Sequence, residues 1–139
     1  MEIPYEKTLA DLFRWRVSVS GDDVAHKFLD DETTYSELDK YANKVAQGLI
    51  SLDCKPDSRV AFLGKNSDQF FEFLYGTIKS NTVTVGINWR LAPPEVAYII
   101  NDSQSEVLLV GPEFFGLVEE IKNDICLLYT SDAADDLWC

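Results

Sequence analysis

The sequence predicts an α/β fold with an incomplete doubly wound, mainly parallel sheet and a small N-terminal β hairpin. Short apolar segments with strand composition alternate with segments of helical periodicity, an order that favours right-handed crossovers between parallel strands. The chain has 139 residues, of which 46% are hydrophobic. This length and composition fit one soluble domain with its own core.

The first predicted elements are a short helix and a hairpin. Apolar residues recur at helical spacing from Thr8, a suitable N-cap, to Val17. Residues 24–29 and 33–35 have β-branched and aromatic composition, and the polar run Asp30-Asp31-Glu32 between them predicts the turn. The hairpin therefore precedes the alternating part of the chain.

The alternating part begins with a long helix. Ser36 opens a capping-box-like sequence with Asp39, and apolar residues follow at helical period to about residue 52. Residues 59–63 predict a buried strand, and residues 68–80 a second long helix with more than one apolar face.

Two further strands and two further helices complete the predicted order. Residues 82–87 and 107–110 are short β-branched or apolar runs typical of buried strands. Prolines at the first helical turn predict a helix over 93–101, and Gly111-Pro112 opens a last helix that extends to Ile121.

The charge balance excludes several classes of partner. Acidic residues number 24 and basic residues 12, giving a net charge of −12, which disfavours nucleic acid and anionic membranes. No apolar run approaches the roughly 20 residues that span a bilayer, and the N-terminal residues lack the order of a signal peptide. A cytoplasmic protein is expected.

Metal-ligating and nucleophilic residues form no recognisable constellation. Cys54, Cys126 and Cys139 have no metal-binding spacing, and their odd number disfavours a disulfide framework, so reduced thiols are expected. His26 is the only histidine and is expected to be a surface or packed strand residue. The acidic run at 30–32 lacks the alternation of a calcium loop and is expected to be a solvated turn.

One segment resembles a phosphate-binding loop but fails its spacing. Gly64-Lys65-Asn66-Ser67 follows a strand and precedes a helix, yet Arg59 stands where the first glycine is needed and Asn66 where the metal-binding hydroxyl is needed. A dinucleotide-binding glycine triplet is absent. The aromatic pairs Phe70-Phe71 and Phe114-Phe115 are expected to pack in the core rather than to line a ligand slot.

Three segments in order resemble one family. They are "TYSEL" at 34–38, "RVAFLGKNS" at 59–67 and "INWRLAPPEVAYIINDS" at 87–103. Together they resemble the N-terminal part of the AMP-forming adenylating enzymes, most closely the acid–CoA ligases such as fatty-acyl-CoA synthetases. The sequence departs from the usual pattern at Asn81 and Gly86, and both residues are compatible with the fold.

The resemblance implies a function for a longer parent protein. Such enzymes use ATP and Mg to convert a carboxylic acid to an acyl-adenylate, then transfer the acyl group to coenzyme A. The phosphate loop and the catalytic lysine of the family have no counterpart here, so no catalytic, cofactor-binding or metal-binding residue is assigned, and no activity or bound cofactor is expected. The alternative is a stand-alone α/β binding or interaction domain without catalysis.

The chain is expected to divide into two parts. Residues 1–125 correspond to the N-terminal part of an AMP-binding domain, whose missing remainder would leave apolar surface exposed and favour self-association. Residues 126–139 contain three Asp, no Lys or Arg and two of the three cysteines. They resemble the translation of a sequencing-library adapter, so a non-native tail is expected.

Overall fold

The computed structural model describes residues 8–126, and the backbone alone at 129–132. The elements are α1 (Leu9–Ser20), β1 (Val24–Phe28), β2 (Asp31–Thr34), α2 (Tyr35–Ser51), β3 (Arg59–Leu63), α3 (Asp68–Ser80), β4 (Val83–Ile87), α4 (Pro93–Asp102), β5 (Val107–Val110), a 3-10 turn (Pro112–Phe114), α5 (Phe115–Ile121) and β6 (Tyr129–Asp132). Strands β1 and β2 form an antiparallel hairpin, and the other four form a parallel sheet in the order β4-β3-β5-β6. The predicted α/β fold is confirmed.

The sheet has a core on each face. Side chains of β3 alternate between the faces, so Val60 and Phe62 join one cluster with Phe73 of α3, and Ala61 and Leu63 join the other. The first cluster lies under α2 and α3, and the second lies under α4 and α5. Helices thus cover both faces, as expected for a doubly wound sheet whose central strands are apolar throughout.

The hairpin turn lies earlier than predicted. Asp31 and Glu32 belong to β2 and pair with Phe28 and Lys27, so the turn is formed by Leu29 and Asp30. Leu29 has a positive φ of 55°, a conformation in which leucine is uncommon. The prediction of a turn at 30–32 was wrong. It relied on the polar composition of the three acidic residues, and leucine at position 29 is not a typical turn residue.

The cap of α2 also differs from the prediction. The Thr34 hydroxyl accepts a hydrogen bond from the Glu37 backbone N–H at 3.2 Å, and the Glu37 carboxylate accepts from the Thr34 N–H at 2.9 Å. This reciprocal capping box leaves Ser36 inside the first turn, so the assignment of the cap to Ser36 and Asp39 was wrong. Hydrogen bonds from Thr34 hold the pKa of the Glu37 carboxyl below its usual value.

Helix α3 ends as the sequence predicts. Asn81 has φ 56° and ψ 34°, the left-handed conformation that closes a helix and that asparagine tolerates better than most residues. Near its end, Lys79 forms an ion pair with Asp39 and donates a hydrogen bond to the Asn43 side-chain oxygen at 2.7 Å. Since both partners lie on α2, these interactions connect α3 to α2.

After β5, the structure contains a 3-10 turn and a further strand that the sequence analysis did not predict. A 3-10 turn precedes α5, so residues 111–121 are not one continuous helix. The backbone of 129–132 forms β6, which pairs in parallel with β5 from Val107 to Val110. No strand was predicted in this segment.

Candidate functional site

The carboxyl edge of the parallel sheet is the place where its topology creates a crevice. The chain passes from β3 to β4 on one side and then returns across β3 to place β5 on the other side. In open α/β sheets, ligands bind beyond the carboxyl ends of the strands where the order reverses. The loops after β3, β4 and β5 therefore define the candidate site.

The loops after β3 and β5 meet closely at this reversal. The Gly111 N–H donates to the Leu63 carbonyl oxygen at 2.8 Å. A Cβ atom at Gly111 would lie 3.5 Å from Cα of Gly64 and 2.9 Å from a carboxylate oxygen of Glu113. A Cβ atom at 111 would therefore be in ordinary van der Waals contact with Gly64 and would displace only the flexible end of the Glu113 side chain.

The loop after β4 is held rigidly by local hydrogen bonds. The Asn88 side-chain oxygen accepts from the Arg90 N–H at 3.0 Å, and the Asn88 carbonyl accepts from the Leu91 N–H at 3.1 Å. The Glu95 carboxylate accepts from the Ala92 N–H at 2.8 Å, which ties the loop to the start of α4. These bonds constrain the backbone on both sides of Trp89.

Two cationic side chains lie over the ring of Trp89. The Arg90 guanidinium carbon lies 4.6 Å from the centroid of the Trp89 ring, and Nζ of Lys65 lies 5.4 Å from it. Lys65 also faces Glu113 at 3.9 Å, and Phe114 packs beside the indole at 6.2 Å between ring centroids. All three loops therefore contribute to one aromatic and cationic surface.

A cleft of about 290 Å³ opens beside this surface. It lies between the loops after β3 and β4, and its lining includes Gly64, Asn66, Gly86, Asn88 and Trp89. Gly86 has no atom within 4 Å of a Cβ position, so a larger residue there would partly fill the cleft. The cleft combines amide side chains, an indole face and neighbouring cations, a set suited to a polar or anionic ligand.

The segment that resembles a phosphate loop does contribute to this surface, although its spacing differs. Ser67 caps α3 by accepting from the Phe70 N–H at 3.3 Å, and Lys65 extends over Trp89. Sequence analysis did not single out Trp89 and Arg90. Their position directly after a predicted buried strand, at the carboxyl edge, is the signal that could have identified them.

The histidine is not among the residues that line the cleft. The His26 ring stacks on Phe71 at 5.1 Å between centroids, and neither of its buried ring nitrogens has a hydrogen-bond partner among the described residues. His26 was expected to be a surface or packed strand residue, and the structure shows the packed alternative. Phe71 remains 42% exposed, so the prediction that it packs in the core was wrong.

In the second aromatic pair, Phe114-Phe115, one ring is also partly buried and the other exposed. Phe114 is partly buried against the cluster under α5, whereas Phe115 is 40% exposed, so the core prediction was wrong for Phe115. Phe70 packs on Phe62 at 5.3 Å between centroids, as predicted.

The described acids and thiols form no metal site. No group of three or more potential ligands occurs among the residues the structure describes. Cys54 and Cys126 are free thiols, and Cys139 lies outside the described residues. Burial raises the pKa of the Cys54 thiol, with Glu106 and Asp53 adding to the effect.

One buried acid is not part of the cleft lining. Glu72 of α3 is only 8% exposed. Burial raises the pKa of its carboxyl from 4.5 to about 7, nearby Asp68 adds to this increase, and Lys44 of α2 opposes it.

Residues 13–137 match the AMP-binding enzyme family. The chain therefore belongs to this family of adenylating enzymes. It is 42% identical over 88 residues to a fatty acid–acyl-carrier-protein ligase, ScoC, from Streptomyces coeruleorubidus, covering 63% of this chain and 17% of that protein. It is 35% identical over 118 residues to the long-chain-fatty-acid–CoA ligase FadD13 of Mycobacterium tuberculosis, covering 84% of this chain and 24% of that protein.

Structural similarity points to the same part of the family. The crystal structure of the N-terminal domain of FACL13 from Mycobacterium tuberculosis superposes with a TM-score of 0.83 and 31% sequence identity, covering 94% of this chain and 35% of that one. The chain thus spans about a quarter or less of the two curated ligases it matches. Its described fold is that of an N-terminal portion of an adenylating enzyme.

Proposed function

We propose that this chain is part of an ATP-dependent acid–CoA ligase, which converts a carboxylate to an acyl-adenylate and then to an acyl-CoA. The observation that carries the proposal is the family match over residues 13–137. Relatives named for fatty acid–CoA and fatty acid–carrier-protein ligation support a carboxylic acid as the substrate. The alternative of a stand-alone binding domain has no comparable support.

The carboxyl edge is the part of the chain that we assign to substrate binding in the whole enzyme. Arg90 and Lys65 lie over the Trp89 ring beside the cleft. Two cations next to an aromatic face suit a ligand that combines phosphate groups with an apolar or aromatic portion. Arg90 is the stronger candidate, because Lys65 already faces Glu113.

The whole enzyme would use ATP, Mg and coenzyme A, and these supply the adenylate and the acceptor thiol. The described residues that line the cleft include no carboxylate, and Mg at a nucleotide site is held by one or two carboxylates together with the phosphates, so the cleft lining does not fit a Mg site. We therefore assign no chemical step to the residues of this chain, and we propose that the 139-residue chain is inactive by itself.

Acid-dependent exchange of pyrophosphate with ATP tests this proposal. The purified 139-residue chain is expected to give no exchange, and the protein from the extended open reading frame is expected to exchange with a fatty acid and to form a CoA thioester. Arg90→Gln in the extended protein should raise the KM for a phosphorylated substrate at least about fivefold, whereas Arg59→Gln, at the opposite edge of the sheet, should not. Exchange by the short chain, or no exchange by the extended protein, would contradict the proposal.

We also propose that residues 126–139 are not native. Their composition and their resemblance to a translated adapter support this, although the family match extends to residue 137 and β6 pairs with β5. An independent read of the gene tests the proposal, and genomic sequence continuing through these codons would refute it.

Two lesser proposals concern the behaviour of the chain. Exposed apolar side chains such as Tyr98 and Ile50, together with the open edge of β4, favour self-association. Light scattering should detect oligomers that grow with concentration, and a monomer at all concentrations would refute this. A cytoplasmic location is proposed from composition; the described helices include none long and apolar enough to cross a bilayer.

A further inference from the structure

A second cavity lies between α1 and α3 and shares no described lining residue with the cleft at the carboxyl edge. It is an open groove of about 540 Å³, within the size range of small-molecule sites. Most of its lining is apolar and comes from Leu12 and Trp15 on one side and from Leu74 and Ile78 on the other. Such a lining fits an aliphatic chain.

Polar donors are grouped in the same groove. Arg16 lies with its guanidinium carbon 4.9 Å from the centroid of the Tyr35 ring, and Tyr75 contributes a second phenol to the lining. Tyr35 and Tyr75 both line the groove, and burial raises the pKa of the Tyr75 hydroxyl, with Tyr35 adding to the effect. One guanidinium and two phenols therefore belong to the lining of an otherwise apolar groove.

The charge of Arg16 is the unusual feature of this groove. The chain has twice as many acidic as basic residues, yet no acidic side chain pairs with Arg16 within residues 8–126. Its neighbour on the same helix, Arg14, is exposed and pairs with Asp11 at 3.2 Å. A half-buried guanidinium without an anion leaves a favourable, charge-assisted interaction unused.

We propose that this groove binds a long-chain carboxylate, with the carboxylate on Arg16 and the chain along Leu12, Trp15, Leu74 and Ile78. Charge complementarity selects the anionic head group, and the apolar lining selects the aliphatic tail. The phenols of Tyr35 and Tyr75 supply additional donors for the carboxylate oxygens. The site is separate from the carboxyl edge of the sheet, and its occupancy does not depend on ligase activity.

Calorimetric titration of the 139-residue chain with dodecanoate, below its micelle concentration, tests the proposal. Dodecanol, which has the same chain without the charge, is expected to bind at least about tenfold more weakly. Arg16→Gln should weaken dodecanoate binding by at least about tenfold and abolish the preference over dodecanol, while the matched control Arg14→Gln should change it less than about twofold.

Further measurements test whether each variant is folded and whether dodecanoate binds in this groove. Tyr75→Phe keeps the ring and should weaken dodecanoate binding by about threefold to tenfold, and circular dichroism of each variant should match the parent chain. The indole N–H resonance of Trp15, assigned from its loss in Trp15→Phe, should shift on titration, whereas that of Trp89 should not. Equal binding of acid and alcohol, no effect of Arg16→Gln in a folded variant, or absence of dodecanoate binding would each overturn the proposal.

Discussion

Glu72 gives the chain a pH-dependent stability that a single substitution should remove. Glu72 of α3 is buried, and burial raises the pKa of its carboxyl from 4.5 to about 7, with Asp68 adding to this and Lys44 opposing it. Between these two pKa values the folded state binds more protons than the unfolded state. The free energy of unfolding must therefore fall as pH rises from about 4.5 to 7.

The magnitude follows from the size of the shift. A change from 4.5 to about 7 corresponds to roughly 3 kcal/mol at about 1.36 kcal/mol per pKa unit. Because the carboxyl group is only partly shielded from solvent, screening should reduce the measured effect to about 2 kcal/mol. Stability from this residue is fully present below pH 4.5 and is lost above pH 7.

Urea unfolding of the parent chain and of Glu72→Gln at pH 5 and pH 8 measures this effect. Glutamine has nearly the same shape and no charge, so the variant should gain about 2 kcal/mol over the parent at pH 8 and much less at pH 5. Glu120→Gln, an exposed position on α5, is the matched control, and its difference from the parent should be the same at both pH values. A Glu72→Gln difference that does not change between pH 5 and pH 8 would refute the reasoning.

Three other substitutions test local features by thermal or urea unfolding. Thr34→Ala should destabilise the chain by about 1 kcal/mol, because the capping box is lost. Ser36→Ala should change the free energy of unfolding by less than about 0.5 kcal/mol. A larger loss in Ser36→Ala than in Thr34→Ala would indicate that Ser36 is the cap. Gly76→Ala should destabilise by about 1–3 kcal/mol, because a Cβ atom there would lie 2.5 Å from the Val45 side chain. Gly116→Ala has open space and should stabilise by about 0.5 kcal/mol; equal effects of the two alanines would contradict the packing argument.

The central strands were predictable because their composition leaves few alternatives. Residues 59–63 and 107–110 are short apolar runs bounded by polar turn residues, and the observed strands have the predicted limits. The cap of α2 was misplaced because Thr34 and Ser36 are both good caps, and only the partner three residues later, Glu37 rather than Asp39, separates them.

The candidate site was less predictable than the fold. Its surface depends on how Lys65, Trp89 and Phe114, from three different loops, come together at the carboxyl edge. Sequence analysis placed Lys65 and Trp89 in loops and Phe114 in the last helix, and neither assignment carries information on the direction of a side chain. The same limit applies to Phe71, whose contact with His26 depends on where the hairpin packs on α3.

The order β4-β3-β5 also has a consequence for how the chain folds. Val60 of β3 pairs with Thr84 of β4, 24 residues away, but also with Val107 of β5, which is 47 residues away. Because closing the longer loop costs more entropy, β3 and β4 should pair first during synthesis, while the other edge of β3 stays open. Until β5 has been made and has crossed over, that edge offers unpaired backbone groups of an apolar strand, and the nascent chain is most exposed to misassembly in this interval.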